Sequence, residues 1–228
     1  MIELKNISIS FGDNCVLNEL TSEFNTSEIH GVVGLNGAGK TTLFNAIAKV
    51  IEPDSGQILF NENNIKRSDT EFLETENYFY SNITGSEYLK IFSASNKDFS
   101  LNAFRELFKI PLDELIETYS NGMKKKLALM AVLKQDKPIY IFDEPFNGLD
   151  LETNKVLEIV IKKLKEKGKT VFISSHILEP LIDICDNIHL LSGGIIKASY
   201  KELNYSELKR GLFDELIISA DKILRNSI

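Results

Sequence analysis

Apolar and polar residues alternate over the first part of the chain. Two runs show this pattern: Ile2, Leu4, Ile7, Ile9 and then Val16, Leu17, Leu20. A period of two is typical of a strand with one buried face, and the Gly12-Asp13-Asn14 segment between the runs is a turn signal. The pattern predicts an antiparallel hairpin that leads into the apolar strand Ile29–Val33.

Further along, short apolar runs alternate with helical periods. Strands are predicted at 57–60, Ile139–Phe142, 170–174 and 187–191. Segment 151–167 has one apolar stripe at helical spacing, and Gly168 can end that helix. Segment 84–132 has a helical pattern with almost no strand signal, and 200–228 has the pattern of an amphipathic packing helix.

Strands that alternate with helices predict an α/β fold with a parallel sheet, whose ligands lie at the carboxyl ends of the strands. We therefore expect one domain over residues 1–228. Its core, 1–75 and 136–228, would combine the parallel sheet with an N-terminal antiparallel β subdomain. A helical subdomain would be inserted at about 76–135.

Composition narrows the functional classes. Of the 228 residues, 43% are hydrophobic and 26% are charged, and the apolar runs are far shorter than the ~20 residues of a membrane-spanning helix. The first residues lack the features of a secretion signal, so a cytoplasmic location is expected. The net charge of −7 disfavours nucleic acid as a partner. Cys15 and Cys185 lie far apart without metal-ligand spacing, which predicts neither a zinc site nor a disulfide framework.

The string GLNGAGKTT at 34–42 follows the strand Ile29–Val33 and precedes a helical pattern. Its glycines allow successive N–H groups to point inward, Lys40 can reach terminal phosphates, and Thr41 offers a hydroxyl to Mg²⁺. The following helix directs its N-terminal N–H groups at the same anion. The string predicts a phosphate-binding loop and a P-loop NTPase core; the alternative is a glycine-rich turn that serves packing alone.

A buried strand then delivers two adjacent carboxylates. Asp143 and Glu144 follow the apolar run Ile139–Phe142. Asp143 can hold Mg²⁺ through its hydration shell, and Glu144 can polarise the water that attacks the γ-phosphate. The alternative is an exposed acidic turn after a strand.

A second helix start resembles a phosphate site. Ser120 is a good N-cap, Gly122 leaves backbone N–H groups accessible, and Lys124, Lys125 and Lys126 follow in the first turns. Cations are disfavoured there by the helix dipole, so the lysines indicate either a visiting anion or a solvated charged face.

Together these residues resemble the ATP-binding subunits of ABC (ATP-binding cassette) proteins over nearly the whole chain. GLNGAGKTT resembles the Walker A loop and IYIFDEP the Walker B strand. YSNGM resembles the signature sequence, with Asn121 and Met123 in place of the usual glycine and glutamine. The segment 147–150 is similar to the D-loop, and His176 ends a strand as the switch histidine does.

The resemblance implies ATP and Mg²⁺ as cofactors and a head-to-tail pair of subunits, either two copies of this chain or one copy with a second ABC ATPase. Catalysis would involve Lys40, Glu144 and His176. The nucleotide would contact Phe11, Gly34, Asn36, Gly37, Ala38, Gly39, Lys40, Thr41, Thr42 and, from the partner subunit's equivalent positions, Ser120 and Gly122.

Two of these positions leave alternatives open. Phe11 would stack on adenine, or else be a core aromatic at a strand end. No glutamine occupies the expected glutamine loop, so Glu74 would join Thr41 and Asp143 at the metal, with Thr75 and Glu76 as alternatives. The resemblance assigns no role to His30 and His189, which are expected to be structural.

The implied function is the ATPase subunit of an ABC transporter, with an exporter as the expected direction. Separate membrane-spanning subunits would move the substrate and hold this chain at the inner face of the membrane. Two alternatives stay open: a soluble ABC ATPase of a cytoplasmic machine such as metal-cluster assembly, and a nucleotide-gated scaffold that hydrolyses ATP weakly.

Overall fold

The computed structural model describes residues 1–93, 95–176 and 178–201. Its ten strands in these ranges are β1 (Ile2–Phe11), β2 (Asn14–Phe24), β3 (Ile29–Val33), β4 (Ser55–Phe60), β5 (Asn63–Asn64), β6 (Thr70–Leu73), β7 (Ile139–Phe142), β8 (Thr170–Ser175), β9 (Asn187–Ser192) and β10 (Ile195–Lys201). The helices are α1 (Lys40–Ile47), α2 (Gly85–Ile91), α3 (Leu101–Phe108), α4 (Asn121–Leu133), α5 (Leu151–Glu166) and α6 (Glu179–Ile182). Short 3-10 turns occupy Arg67–Asp69 and Ile116–Thr118.

The strands form two sheets. The four-stranded sheet has the order β2-β1-β4-β5 and is antiparallel. The six-stranded sheet has the order β10-β9-β3-β8-β7-β6. Its strands run parallel except for β10, which pairs antiparallel with β9. The carboxyl ends of β3, β7, β8 and β6 therefore lie at one edge of this sheet.

Strands β3, β6, β7 and β8 of the six-stranded sheet are buried on both faces, whereas β10 is partly exposed. In β7, Ile139 and Ile141 join a core with the antiparallel sheet and α1, while Tyr140 and Phe142 join the core with α4 and α5. Successive side chains of a strand point to opposite faces, so a strand covered on both sides favours apolar residues at successive positions. All four residues of β7 are buried.

These elements confirm most of the predicted secondary structure. The hairpin is present, and Ile29–Val33 and Ile139–Phe142 are strands with the predicted bounds. The strands predicted at 57–60, 170–174 and 187–191 are longer by one or two residues. The predicted helix at 151–167 ends at Glu166. Within 84–132 the described residues contain α2, α3 and most of α4 but no strand.

The prediction missed two strands of the parallel-sheet layer, β6 and β10. We propose that the inserted helical subdomain spans about 76–135, since β6 ends at Leu73 and β7 begins at Ile139. The packing helix predicted at 200–228 lies outside the described residues from position 202 onward, and Tyr200 and Lys201 belong to β10. Within the described ranges, no helix combines the length and apolarity that a membrane span requires.

Candidate functional site

The strand β3 runs directly into the glycine-rich loop and α1. A Cβ atom on Gly34 would lie 2.3 Å from the carbonyl oxygen of Leu191, so only glycine fits this approach of two backbones. Gly37 and Gly39 have φ angles of 82° and 101°, a region that other residues rarely adopt. Gly39 is the N-cap of α1, and no side chain caps that helix end. The first N–H groups of α1 are therefore available to an anion.

Lys40 folds back over this loop. Its Nζ donates to the carbonyl oxygens of Gly34 at 2.8 Å and Leu35 at 3.4 Å, and the residue is 8% exposed. Burial lowers the pKa of the Lys40 ammonium, while the carboxylates of Glu144 and Asp143 oppose this shift. The loop thus holds a cation among backbone dipoles, next to the helix start that attracts anions.

The other predicted loop contacts differ in their exposure. Asn36, Gly37 and Thr41 are exposed, and Ala38 and Thr42 are half-buried. A surface of this kind is open to a ligand from the solvent side.

Asp143 is the meeting point of three elements. It is 1% exposed and its Oδ2 accepts from Thr41 Oγ1 at 2.7 Å and from Thr75 Oγ1 at 2.9 Å. Its Oδ1 accepts from Ser174 Oγ at 2.5 Å. The structure therefore brings Asp143 together with the hydroxyl of Thr41, as expected from the sequence, and rules out the exposed acidic turn.

The donor set around Asp143 fits Mg²⁺. The hydroxyls of Thr41 and Thr75 and the carboxylate of Asp143 present only oxygen atoms, and both hydroxyls converge on the same oxygen, Oδ2. Hard cations such as Mg²⁺ prefer oxygen ligands and take the remainder from phosphate and water. Among residues 1–93, 95–176 and 178–201, no group of three or more His, Cys, Asp or Glu side chains could hold a metal.

Thr75, which the sequence offered only as an alternative to Glu74, makes the contact with Asp143. Glu74 is exposed and follows directly after the end of β6 at Leu73. A hydroxyl donates a hydrogen bond to the carboxylate of Asp143, whereas a second carboxylate would repel it. We therefore propose Thr75, and not Glu74, as the metal-side residue of this loop.

Hydrogen bonds hold both the backbone and the side chain of Glu144. Its N–H donates to Ser174 Oγ at 2.8 Å, and its Oε2 accepts from Asn147 Nδ2 at 3.3 Å. His176 Nδ1 lies 2.9 Å from the same Oε2, and the His176 N–H donates to it at 3.4 Å. The Glu144 side chain is 13% exposed and that of His176 is 47% exposed. Glu144 and His176, which the resemblance assigns to catalysis, are therefore in contact.

The helix α4 begins at Asn121, and Ser120 is its N-cap as predicted. The Ser120 Oγ accepts from the N–H of Met123 at 3.3 Å. A Cβ atom on Gly122 would lie 3.2 Å from the carbonyl oxygen of Gly148, so the helix start packs closely against the loop after β7. Ser120 and Asn121 are exposed. This end of α4 contacts its own chain on one side and is open on the other.

Two of the three lysines that follow have partners within this chain. Lys125 Nζ donates to two backbone carbonyl groups, those of Glu144 and Asn147. Lys126 Nζ lies 3.3 Å from Asp150 Oδ2. Neither of the two alternatives from the sequence, a visiting anion or a solvated charged face, is needed for Lys125, whose ammonium is buried and satisfied by carbonyl oxygens. Lys126 has a carboxylate partner in Asp150. The partners of Lys125 and Lys126 lie 19 to 24 positions further along the chain. No sequence pattern therefore indicated these contacts.

Phe11 is the last residue of β1 and pairs with Asn14 across the hairpin. It is 56% exposed, so it is not the core aromatic that the sequence left open. An exposed ring at the end of a strand is available to stack on a planar ligand. We keep adenine stacking as its proposed role.

Comparison with known proteins decides the family. Residues 17–147, more than half of the chain, match the family described as ABC transporter. This chain belongs to the ABC transporter family. It is the ATP-binding subunit type of that family and an ATPase, which confirms the predicted fold and activity.

The similarity to other ABC transporter subunits covers most of this chain. The bacitracin transport ATP-binding protein BcrA of Enterococcus faecalis is 30% identical over 98% of this chain and 76% of its own length. The lantibiotic transport ATP-binding protein SrtF of Streptococcus pyogenes is 28% identical over 96% of this chain and 98% of its own. A solved structure of an ATP binding subunit of an ABC transporter has a TM-score of 0.79 at 27% identity, over 96% of this chain and 98% of that one.

Proposed function

We propose that this ABC ATPase powers export, in a head-to-tail dimer that closes on ATP and moves separate membrane-spanning subunits. The observation that carries the catalytic part is the convergence of Thr41, Asp143, Glu144 and His176 beside the Lys40 loop. The similar proteins BcrA and SrtF, which are a bacitracin and a lantibiotic transport ATP-binding protein, support a peptide-type substrate. Partner subunits would hold the chain at the inner face of the membrane.

Each residue of the site would have a distinct task. The N–H groups at the start of α1 and the Lys40 ammonium would bind the phosphates. Mg²⁺, held by Thr41, Asp143 and Thr75, would neutralise phosphate charge. Glu144 would polarise the attacking water, since its carboxylate is an acceptor fixed by His176 and Asn147.

His176 would orient both Glu144 and the water. Its Nδ1 is within hydrogen-bond reach of Glu144 Oε2, and nearly half of its side chain is exposed toward solvent. A ring fixed at one nitrogen can present the other to the γ-phosphate. The pair would therefore act as one unit.

The start of α4 would serve the second subunit. Ser120 is exposed and caps a helix whose N-terminal end attracts anions, while Lys40 lies at a different helix end. A head-to-tail pair places Ser120 and Gly122 of one subunit over the loop of the other. Each nucleotide would then be enclosed by two chains, so closure would depend on ATP.

A cleft between β6 and the helical segment is the proposed docking place for a membrane subunit. Its volume is about 430 Å³, and Phe72, Tyr88 and Phe92 line it together with Glu71. Glu71 is 7% exposed, and burial raises the pKa of its carboxyl to about 7. Arg67 and Lys137 also line the cleft and oppose the rise in the pKa of Glu71. An apolar segment with a polar group that hydrogen-bonds to Glu71 would match these walls. Strand β6 carries Glu71 and leads into Thr75, which donates to the Asp143 carboxylate. Docking at the cleft would therefore affect the position of Thr75 beside Asp143.

The test is affinity capture of the Glu144→Gln protein with ATP from cells that carry the chain natively, followed by mass spectrometry. A multi-span membrane protein in stoichiometric amount is expected, together with slow ATP hydrolysis and a trapped dimer. Glu71→Lys, added to Glu144→Gln, should lose the membrane protein and keep ATP binding. A set of soluble partners alone would refute the transporter assignment and favour a cytoplasmic ABC machine, and ordinary turnover by Glu144→Gln would refute the catalytic role.

A further inference from the structure

A buried lysine lies directly behind the proposed catalytic carboxylate. Lys125, in the second turn of α4, is 8% exposed. Lysine is seldom buried to this extent unless its ammonium donors are satisfied. Here Nζ donates to the carbonyl oxygen of Glu144 at 2.5 Å and to that of Asn147 at 3.0 Å. Burial lowers the pKa of Lys125 to about 8, against the opposing effect of the Glu144 and Asp143 carboxylates.

Glu144 needs such support because its backbone is strained. Its φ angle is 48°, in the left-handed region that non-glycine residues adopt only at an energetic cost. The peptide on one side is fixed by the hydrogen bond from the Glu144 N–H to Ser174 Oγ. The carbonyl group on the other side accepts from Lys125 and, at 3.3 Å, from the N–H of Asn147.

Lys125 also acts on the side chain of Glu144 through Asn147. The Asn147 carbonyl accepts from Lys125, and the Asn147 amide donates to Glu144 Oε2 at 3.3 Å. His176 occupies the same carboxylate oxygen. The Lys125 ammonium therefore holds the backbone of Glu144, which orients its carboxylate. It also holds Asn147, whose amide restrains the same carboxylate.

We propose that Lys125 is a positioning residue for ATP hydrolysis, which holds the Glu144 carboxylate at the place where it polarises water. This rests on the proposed catalytic role of Glu144. Because Ser120 is the N-cap of α4, the same ammonium connects the helix that would face the partner's nucleotide with the proposed catalytic carboxylate of its own chain.

The test compares steady-state ATP hydrolysis by Lys125→Met and Lys134→Met. Lys134 is the matched control: it ends the same helix, and its Nζ likewise donates to two carbonyl groups, those of Leu89 at 2.6 Å and Phe92 at 2.8 Å, away from Glu144. Displacing a catalytic group by about 1 Å can cost ~100-fold in rate. We expect Lys125→Met to lower kcat by roughly 10- to 100-fold with the KM for ATP within about twofold, while Lys134→Met keeps the wild-type kcat.

A second comparison separates positioning from a merely structural role. In the Glu144→Gln background, Lys125→Met should not lower the residual rate further, because both changes affect the same carboxylate. An independent role would make the two losses multiply and would overturn the proposal. If Lys125→Met fails to fold, Lys125→Gln, which keeps an N–H donor on a shorter side chain, is measured with the same expectations.

The outcomes also distinguish this proposal from the proposed function. A wild-type kcat for Lys125→Met, together with loss of turnover in Glu144→Gln, would refute only the role of Lys125. Wild-type turnover in Glu144→Gln would refute the catalytic assignment on which it rests.

Discussion

Two buried histidines make the stability of this protein depend on pH. His30 and His189 are 1% and 4% exposed, with His30 Nδ1 3.2 Å from His189 Nε2. His30 Nε2 lies 2.8 Å from the carbonyl oxygen of Asn25, and His189 Nδ1 lies 2.7 Å from Ser199 Oγ. A carbonyl only accepts, so His30 Nε2 carries its proton and His189 Nε2 can donate to His30 Nδ1. Both rings are therefore satisfied in the neutral state.

The direction of the pH dependence follows from the pKa values. Burial, together with the neighbouring His30, lowers the pKa of His189 from 6.5 to about 3. Burial also lowers the pKa of His30, although the Asn25 carbonyl and the carboxylates of Glu28 and Asp186 oppose this. Between about pH 6.5 and 3, His189 therefore binds more protons in the unfolded chain than in the folded chain. The contribution of His189 to the free energy of unfolding falls as the pH falls through this window.

The magnitude can be worked out for His189. One pH unit corresponds to ~1.4 kcal/mol for a group that is charged in only one state. Acidification to about pH 5 lies roughly 1.5 units below the unfolded pKa, so His189 should cost about 2 kcal/mol of folding stability. In a chain of this size, 1 kcal/mol shifts Tm by roughly 2–4 °C, which predicts about 4–8 °C for this residue.

The assay is thermal unfolding of the wild type and of His189→Gln at about pH 7.5 and pH 5. Glutamine keeps hydrogen-bonding capacity at this position but does not titrate. Other groups contribute to both proteins, including Glu71, whose raised pKa acts in the opposite direction. The informative quantity is therefore the difference between the two Tm changes. Equal changes in both proteins would refute the claim that His189 is buried neutral.

Three further substitutions test the site. Lys40→Ala should lose most nucleotide binding, measured with a fluorescent ATP analogue, because the loop then lacks its cation; near wild-type affinity would contradict this. Gly34→Ala should destabilise the fold by about 1–3 kcal/mol in urea unfolding, since its Cβ would lie 2.3 Å from the Leu191 carbonyl oxygen; an unchanged midpoint would show that the loop yields freely. Ser120→Arg should leave ATP binding to the monomer nearly intact and abolish the trapped dimer of Glu144→Gln in size-exclusion chromatography; strong loss of monomer affinity would place α4 in its own chain's site.

Local sequence patterns predicted the parts of the site that depend on local geometry. The turn and helix start around Lys40 follow from glycines that adopt positive φ angles and from the strand before them. Asp143 and Glu144 follow a strand in which every residue is apolar and buried. Backbone conformation and alternating burial are properties of neighbouring residues, so a single sequence contains them.

Strand β6 shows why other elements were missed. Its four residues, Thr70–Leu73, are all buried, although two of them are polar. Glu71 lies there because β7 pairs alongside and the helical segment covers the strand, while Arg67 and Lys137 partly offset its charge. The residues of β6 show neither alternation of apolar and polar positions nor a continuous apolar run. Elements distant in the sequence bury this strand, so its own residues do not predict it.

By itself, the sequence determined the family of this protein, its hairpin, its glycine-rich loop and the two adjacent carboxylates that follow β7. Those features depend on side-chain pattern and on glycine at fixed positions. The tertiary structure decided that Thr75 contacts Asp143, that Lys125 supports Glu144, and that His30 meets His189. These contacts join residues that are far apart in the chain, and only the packing of strands and helices sets the distances between them.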